Sequence, residues 1–375
     1  MKLRKVMALT LAGAMAATSL TACSSNSAGT AATTAAAGTE AAAGTTAAAG
    51  NAGSADAEIT LQVAFENSIS EPVGQGWVKA QEIIREKSGG TMAIEVYPDS
   101  QLGDKSSLID SMLLGENVCT LADGAFYADY GVPDFGIVFG PFLFDSWDQC
   151  WTLIESDWYK EQCAKLEEKG LKLIASNWIY GERHTLTNVP VNTVDDLKGL
   201  KIRIPGSRIY MTFWEAVGAS PTAMSWSEVF TAIQQGTIDG QENGAPITQS
   251  AKMDEVQDYM TIWNYAYDSD LIICNTTVWE SLDENTQALL QECITDACEW
   301  GRDKIEKEEE EIIEEFIAGG MQVDRLTEEQ LAPFQEMIKE SMKEIKADYG
   351  KTACDAFNID TEGVSFTEEQ GEQDR

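Results

Sequence analysis

The stretch Asp196 to Asn243, DLKGLKIRIPGSRIYMTFWEAVGASPTAMSWSEVFTAIQQGTIDGQEN, decides the reading of this chain. Leu200, Ile202 and Ile204 alternate with Lys201 and Arg203, so a short strand turns its isoleucines to one face and Arg203 to the other. Gly199 ends a short helix before the strand, and Pro205 and Gly206 stop it. A helix is predicted from about Arg208 to Val217, with Tyr210, Phe213, Trp214 and Val217 at helical spacing. Ser225 and Glu228 spell an S-x-x-E capping box, which starts a helix through Val229, Phe230 and Ile233 to Gly236 and holds Trp226 at its entrance. A polar DGQEN turn, Asp239 to Asn243, follows. One arginine, one aromatic and one polar turn at fixed distances make the wall of a cleft, not a core. There the guanidinium takes a carboxylate bidentately while Trp226 stacks on the same ligand.

Outward from this segment, strands and helices alternate. A strand at Ile59 to Phe65, a helix to about Ser88, a strand around Ala93 to Val96, a helix from Lys105 to Leu114 and a strand at Val118 to Ala122 argue an α/β sheet. A further strand, Leu171 to Ala175, leads to a crossing at Ile179-Tyr180-Gly181, where the chain enters a second domain. Strands at Tyr259 to Tyr267 and Leu271 to Cys274 return it to the first. From Asp283 the pattern is helical, with one long charged helix to about Ile317 and another from Glu328 to Tyr349. The expected domains are 58–180 with 269–308, and 181–268 with 309–360, followed by a polar tail, 361–375. The run of glutamates from Glu306 to Glu315 reads as a solvated helix face, because no calcium-type loop frames it.

The beginning of the chain has a different character. Lys2, Arg4 and Lys5 precede an apolar run from Val6 to about Ala17, and Leu20-Thr21-Ala22-Cys23 resembles a lipobox. Residues 1–22 therefore read as a cleaved secretory leader and Cys23 as a lipidated first residue. The apolar run is too short for a membrane-spanning helix, which needs roughly 20 residues. Residues 24–57 are almost wholly Ala, Gly, Thr and Ser, a flexible tether with a typical reach of about 30 Å.

The chain has 62 acidic and 26 basic residues, a net charge of −36, and loss of the leader with its three basic residues makes it −39. Such a charge excludes nucleic acid and anionic membrane surfaces as partners. It also repels anionic ligands at a distance, so an acid-binding cleft depends on local arginines acting within a Debye length of about 8 Å. Cys119, Cys150, Cys163, Cys274, Cys293, Cys298 and Cys354 are odd in number and read mostly as buried thiols, with a Cys150 to Cys163 disulfide the one pairing left open.

The run GLKIR, then GASPTAMSWSEVF, then DGQEN resembles the solute-binding proteins of tripartite ATP-independent periplasmic (TRAP) transporters, the DctP-like family. The resemblance extends upstream through KSGGTMAIEVYPDSQLGD, Lys87 to Asp104, and the Pro133 to Phe144 segment, and downstream to about Tyr349. It implies a two-domain periplasmic-binding-protein fold of the class II type, with the ligand cleft between domains and late helices bracing both. The implied function is capture of a small organic acid by hinge closure and delivery to a small and a large integral membrane subunit driven by an ion gradient.

Carried over position by position, the family's pattern gives Arg203 the bidentate contact to the ligand carboxylate, Arg183 a second contact and Asn243 a hydrogen bond from the hinge side. Trp226 forms a wall of the pocket, and Asp239 and Glu242 serve as turn and buttress. Glu66, Lys105 and Asp123 face the ligand's other end, where the sialic-acid-type relatives carry an amide and acidic groups. That departure favours a hydroxylated acid such as a uronate or aldonate ahead of a dicarboxylate, with Lys105 meeting a second carboxylate or a hydroxyl and the acids accepting from ligand hydroxyls.

An extracytoplasmic enzyme is the main rival, and its signatures are missing. The single histidine, His184, rules out H-E-x-x-H, no G-x-S-x-G occurs, and Gly350-Lys351-Thr352 lacks the P-loop's first glycine. No cofactor and no metal is expected, and a monomer is the default state. A role as ligand-sensing input to a membrane kinase stays open beside transport.

Overall fold

The computed structural model describes residues 56–356 and 359–366. The leader, Cys23, nearly all of the tether and the last residues of the tail lie outside the described residues. Two mixed sheets organise the chain. In the first, β1 (Ile59–Ala64), β2 (Met92–Tyr97) and β3 (Val118–Ala122) run parallel in the order β2-β1-β3. They are connected by α1 (Pro72–Lys87) and α2 (Lys105–Leu113). Met92, Ile94 and Val96 of β2 point inward at every second position, the strand period that the sequence displays.

After β3 come α3 (Gly124–Asp129), a 3-10 turn at Pro133–Val138, α4 (Trp147–Ile154) and α5 (Asp157–Glu168). Strand β4 (Leu171–Glu182) is much longer than the predicted Leu171 to Ala175 and runs through the crossing itself. Beyond it the chain builds the second sheet from β5 (His184–Thr187), β6 (Lys201–Ile204), α6 (Arg208–Ala216), β7 (Ser220–Ala223), α7 (Trp226–Gln234), β8 (Gly240–Asn243), α8 (Ala245–Ser250) and β9 (Tyr259–Ile262). It then returns through β10 (Tyr267–Asn275), which lies antiparallel between β3 and β4. A short helix, α9 (Thr276–Glu280), leads into α10 (Glu284–Gly319), β11 (Gln322–Arg325), α11 (Glu328–Asp348) and α12 (Lys351–Ala356). The second sheet is ordered β11-β9-β5-β8-β6-β7.

Three further expectations change, and one left open is settled. DGQEN is not a turn. Gly240–Asn243 is a buried strand at the middle of the second sheet, between β5 and β6, and only Asp239 stays at the bend, its carboxylate accepting from the Lys201 N–H at 2.9 Å. The predicted strand Tyr259 to Tyr267 breaks after Ile262, where Asn264 takes a left-handed φ of 44° and the chain passes between sheets. Ser225 sits at the start of α7 without capping it, whereas Thr327 and Gln330 form a complete capping box on α11. Cys150 and Cys163 are free thiols, as are the other cysteines among the described residues.

Two strand connections join the sheets. Arg183 links β4 to β5, and residues 263–266 link β9 to β10; the Arg183 N–H donates to the Ala266 carbonyl at 2.9 Å. Gly181, with φ of 144°, stands where a side chain would press on Gly244 at 3.3 Å, so the two glycines let the crossing strands approach. A third link is α10. It is capped by Asp283, which accepts from the N–H groups of Asn285 and Thr286, and is ended by Gly320 in the left-handed conformation. Its Leu290, Cys293, Ile294, Ala297 and Cys298 pack into a core with Leu61, Val63 and Ile272 of the first sheet. Its Ile312, Ile313 and Phe316 pack with Leu186 and Met260 of the second.

Candidate functional site

All seven residues singled out in the sequence line one chamber. Glu66, Lys105, Asp123, Arg183, Arg203, Trp226 and Asn243 surround it with Asn67, Tyr180 and Pro205. An outer cavity lined in part by Glu66, Lys105, Arg203, Ser225 and Glu228 continues from it.

The chamber's positive groups come from three different elements. Arg203 lies on β6, whose isoleucines fill the opposite face as the alternation predicts. Its Nε–H donates to the Met224 carbonyl at 2.8 Å, and its guanidinium lies 5.4 Å from the Trp226 ring centre. No carboxylate among the described residues comes within ion-pair distance of it. Burial accordingly pushes the Arg203 pKa down, with Glu66 and Glu242 opposing from a distance.

Arg183, at the crossing, is in the opposite condition. Its Nη1 donates to Asn243 Oδ1 and its Nη2 to the Tyr210 hydroxyl at 2.7 Å. It pairs with Asp268 at 2.9 Å and with Glu242 at 3.5 Å. Burial works against its charge, but Glu242, Tyr210 and Asp268 outweigh it and raise the pKa well above the usual arginine value. Asn243 is bound at both ends, since its Nδ2 donates to Gln241 Oε1 at 3.3 Å. Glu242, fully buried, also accepts from the Tyr265 hydroxyl. The protein thus engages both terminal nitrogens of Arg183 and both ends of the Asn243 amide, while the buried Arg183 Nε has no hydrogen-bond partner among the described residues.

Lys105 opens α2 and lies over the rings of Phe126 at 4.9 Å and Tyr180 at 5.6 Å. Burial lowers its pKa, yet Asp270, Asp123, Glu66 and Asp268 together leave it raised. Asp123 ends β3 and caps α3, accepting from the Ala125 and Phe126 N–H groups at 2.8 and 3.2 Å. Its other oxygen accepts from Tyr210, so the Tyr210 hydroxyl relays between Arg183 and Asp123.

One oxygen of Glu66, Oε1, has a role that the sequence did not suggest. It takes the Ser225 hydroxyl at 2.7 Å and the Trp226 N–H at 3.3 Å, and so caps α7 from the other side of the chamber. The Ser225 hydroxyl donates to Glu66 and accepts from no N–H of α7, and the positive end of the helix gains a full carboxylate.

Sequence reasoning missed Asn67, Tyr180, Tyr210, Asp268 and Asp270. Asn67 donates to Glu71 at 2.6 Å and to the Tyr180 hydroxyl at 3.0 Å. Glu71, buried, has its pKa pushed up to about 7 by desolvation, against the hydrogen bonds of Asn67 and the Ser68 N–H. The acids of Asp268-Ser269-Asp270 stand two apart on a strand, a spacing that puts both on one face and that was legible in the sequence.

A chamber between two sheets, crossed by two strands and a shared helix and holding an uncompensated buried guanidinium, defines a cleft-type solute receptor. Comparison with known proteins agrees. The family described as Bacterial extracellular solute-binding protein, family 7, matches residues 63–348, and the chain belongs to it. The chain is 27% identical to the sialic acid-binding periplasmic protein SiaP of Vibrio cholerae, over 80% of this chain and 92% of that one. It is 29% identical to the C4-dicarboxylate-binding periplasmic protein DctP of Rhodobacter capsulatus, over 71% of this chain and 80% of that one. Among solved structures, a TRAP periplasmic solute-binding protein from Ochrobacterium anthropi with bound L-fuconate superposes with a TM-score of 0.72 at 30% identity, covering 78% of this chain and 99% of that one. The family consists of extracytoplasmic solute receptors, not enzymes. No helix among the described residues is long and apolar enough to cross a membrane.

Proposed function

We propose that this chain captures a small hydroxylated monocarboxylate, a uronate or aldonate ahead of a dicarboxylate, by closure of two domains, and hands it to a TRAP-type membrane transporter. The observation that carries the reading is Arg203: a buried guanidinium with no counter-ion among the described residues, aimed into a chamber and flanked by an indole. A ligand carboxylate supplies the missing charge and two of the missing hydrogen bonds at once.

The rest of the chamber favours a neutral, hydroxyl-rich remainder. Lys105 stands among Asp270, Asp123, Glu66 and Asp268, so its charge is already compensated, and a second carboxylate would enter a net negative field. The L-fuconate bound by the relative from Ochrobacterium anthropi and the sialic acid bound by that from Vibrio cholerae are both hydroxylated monocarboxylates. The C4-dicarboxylate receptor of Rhodobacter capsulatus supports the second choice. In this reading residues 58–180 with 269–308 and residues 181–268 with 309–360 are the moving domains. Arg203, Arg183, Asn243 and Trp226 serve from one, and Glu66, Lys105 and Asp123 from the other. Ligand binding shifts the open-to-closed equilibrium by its differential affinity for the closed form. Cys23 carries the lipid that keeps the receptor beside its small and large membrane subunits.

A thermal-shift screen of ligand-stripped protein against uronates, aldonates, dicarboxylates, keto acids and sialic acid tests this. A ligand at a hundred times its dissociation constant adds about 2.7 kcal/mol. Stabilisation by sugar acids that Arg203→Ala abolishes is the expected result. An equal response of the variant, or none by the wild type to any acid, overturns the carboxylate clamp.

A further inference from the structure

We propose that Asp123, Asp268 and Asp270 bind a hard cation, calcium foremost, immediately behind the chamber. The three carboxylates come from two paired strands: β10 carries Asp268 and Asp270, and Asp123 follows β3, one residue beyond the pair Leu271 and Ala122. Oxygens from all three lie within 4.8 Å of one another, and each residue is only 1% exposed.

Unmet bonding, not acidity alone, points to a ligand. Neither oxygen of Asp270 has a hydrogen-bond partner, and Asp268 Oδ1 has none. A buried carboxylate without donors is costly, and such groups normally pair or coordinate a metal. Asp268 Oδ2 meets Arg183 at 2.9 Å, and Lys105 acts on Asp270 through charge alone, with no hydrogen bond or ion pair between them.

Size and charge then select the ion. Calcium–oxygen distances of about 2.3–2.6 Å put oxygens on opposite sides of the ion up to about 5 Å apart, whereas magnesium, at about 2.0–2.1 Å, draws them to about 4.2 Å. The oxygens fall within the larger ion's span, and calcium also tolerates the irregular coordination that strand-borne carboxylates offer. Three buried carboxylates face two side-chain cations, Arg183 and Lys105, and a divalent cation among them would hold all three ionised. The ion would fix the acids that orient Arg183. The site goes beyond the receptor reading and does not depend on Arg203.

The test is calcium binding to chelator-treated protein with no organic acid present, by equilibrium dialysis and by terbium luminescence sensitised through nearby Tyr127 and Tyr210. The expected result is one tightly held equivalent, magnesium a weaker competitor, and affinity reduced by about tenfold or more in Asp270→Asn and Asp268→Asn. Arg203→Ala should keep the equivalent, so failure of the carboxylate clamp and failure of this site are told apart. Asp270→Asn carries the test if Asp268→Asn misfolds, because Asp270 has no hydrogen bond to lose. Two outcomes overturn the proposal. One is that wild type holds no calcium at millimolar concentration, so that protons neutralise the acids; the other is that both variants bind as wild type does, which puts the ion on surface glutamates such as those of α10.

Discussion

Arg183 and Arg203 are equally buried, each 4% exposed, yet one is held by four protein side chains and the other by a single carbonyl and an indole face. A buried guanidinium whose partners are built in is scaffold: it ties the crossing to β8, α6 and β10, and its removal leaves Glu242 and Asp268 uncompensated. A buried guanidinium without a counter-ion is a liability to the empty protein, and in the proposed reading that liability becomes affinity when a carboxylate arrives. The same residue type in one chamber therefore has opposite effects on stability and on binding.

The largest expected effect separates them. Arg183→Ala breaks buried pairs and should cost about 3–5 kcal/mol of unfolding free energy, while Arg203→Ala should leave stability in urea unchanged or slightly improved. Equal losses would erase the distinction. Binding should invert the order. Arg203→Ala loses about 2–5 kcal/mol of affinity for the acid that the screen identifies, read by calorimetry.

Glu71 sharpens the contrast from the acid side. Its folded pKa of about 7 lies above the ordinary 4.5, so the native state keeps the proton longer than the unfolded chain does. The stability it contributes is whole below pH 4.5 and is lost as pH rises to 7, about 3 kcal/mol at most. Glu71→Gln should flatten that slope in urea melts at stepped pH, and an unchanged slope would assign it elsewhere. The smallest effect concerns the cap that spans the chamber. Ser225→Ala and Glu66→Gln should each cost about 1 kcal/mol and enlarge the unliganded protein in small-angle scattering. A fold loss without expansion would show the cap to be local to α7.

The alternating GLKIRI run was enough to place Arg203 on the chamber face, because the strand period of two decides sides without tertiary information. The long helix from Asp283 and the first three strands were equally plain, since their apolar positions repeat at one period and their caps are local. What failed was non-local. The Ser225 box lost to a carboxylate 159 residues away, and DGQEN, polar enough for a turn, is a central strand because Arg183, Tyr265 and Gln257 satisfy its side chains inside the sheet. Tyr210 looked like a core aromatic, and its ring is one; only the fold shows that its hydroxyl joins Arg183 to Asp123. Whether a buried charge has a partner is a property of contacts between distant segments, so the difference between the two arginines could not be read in advance.

The helix α10 has a mechanical consequence. At 36 residues and about 1.5 Å per residue it is a rod of about 54 Å, and one end is embedded in each core. Parting the sheets must flex this rod or peel its last turns from Leu186 and Met260, so the joint behaves as a leaf spring with a rest position and not as a free pivot. If the halves part as proposed, opening would store elastic energy that returns when they meet, and the stiffness of one helix would set how wide the mouth gapes and how quickly it shuts.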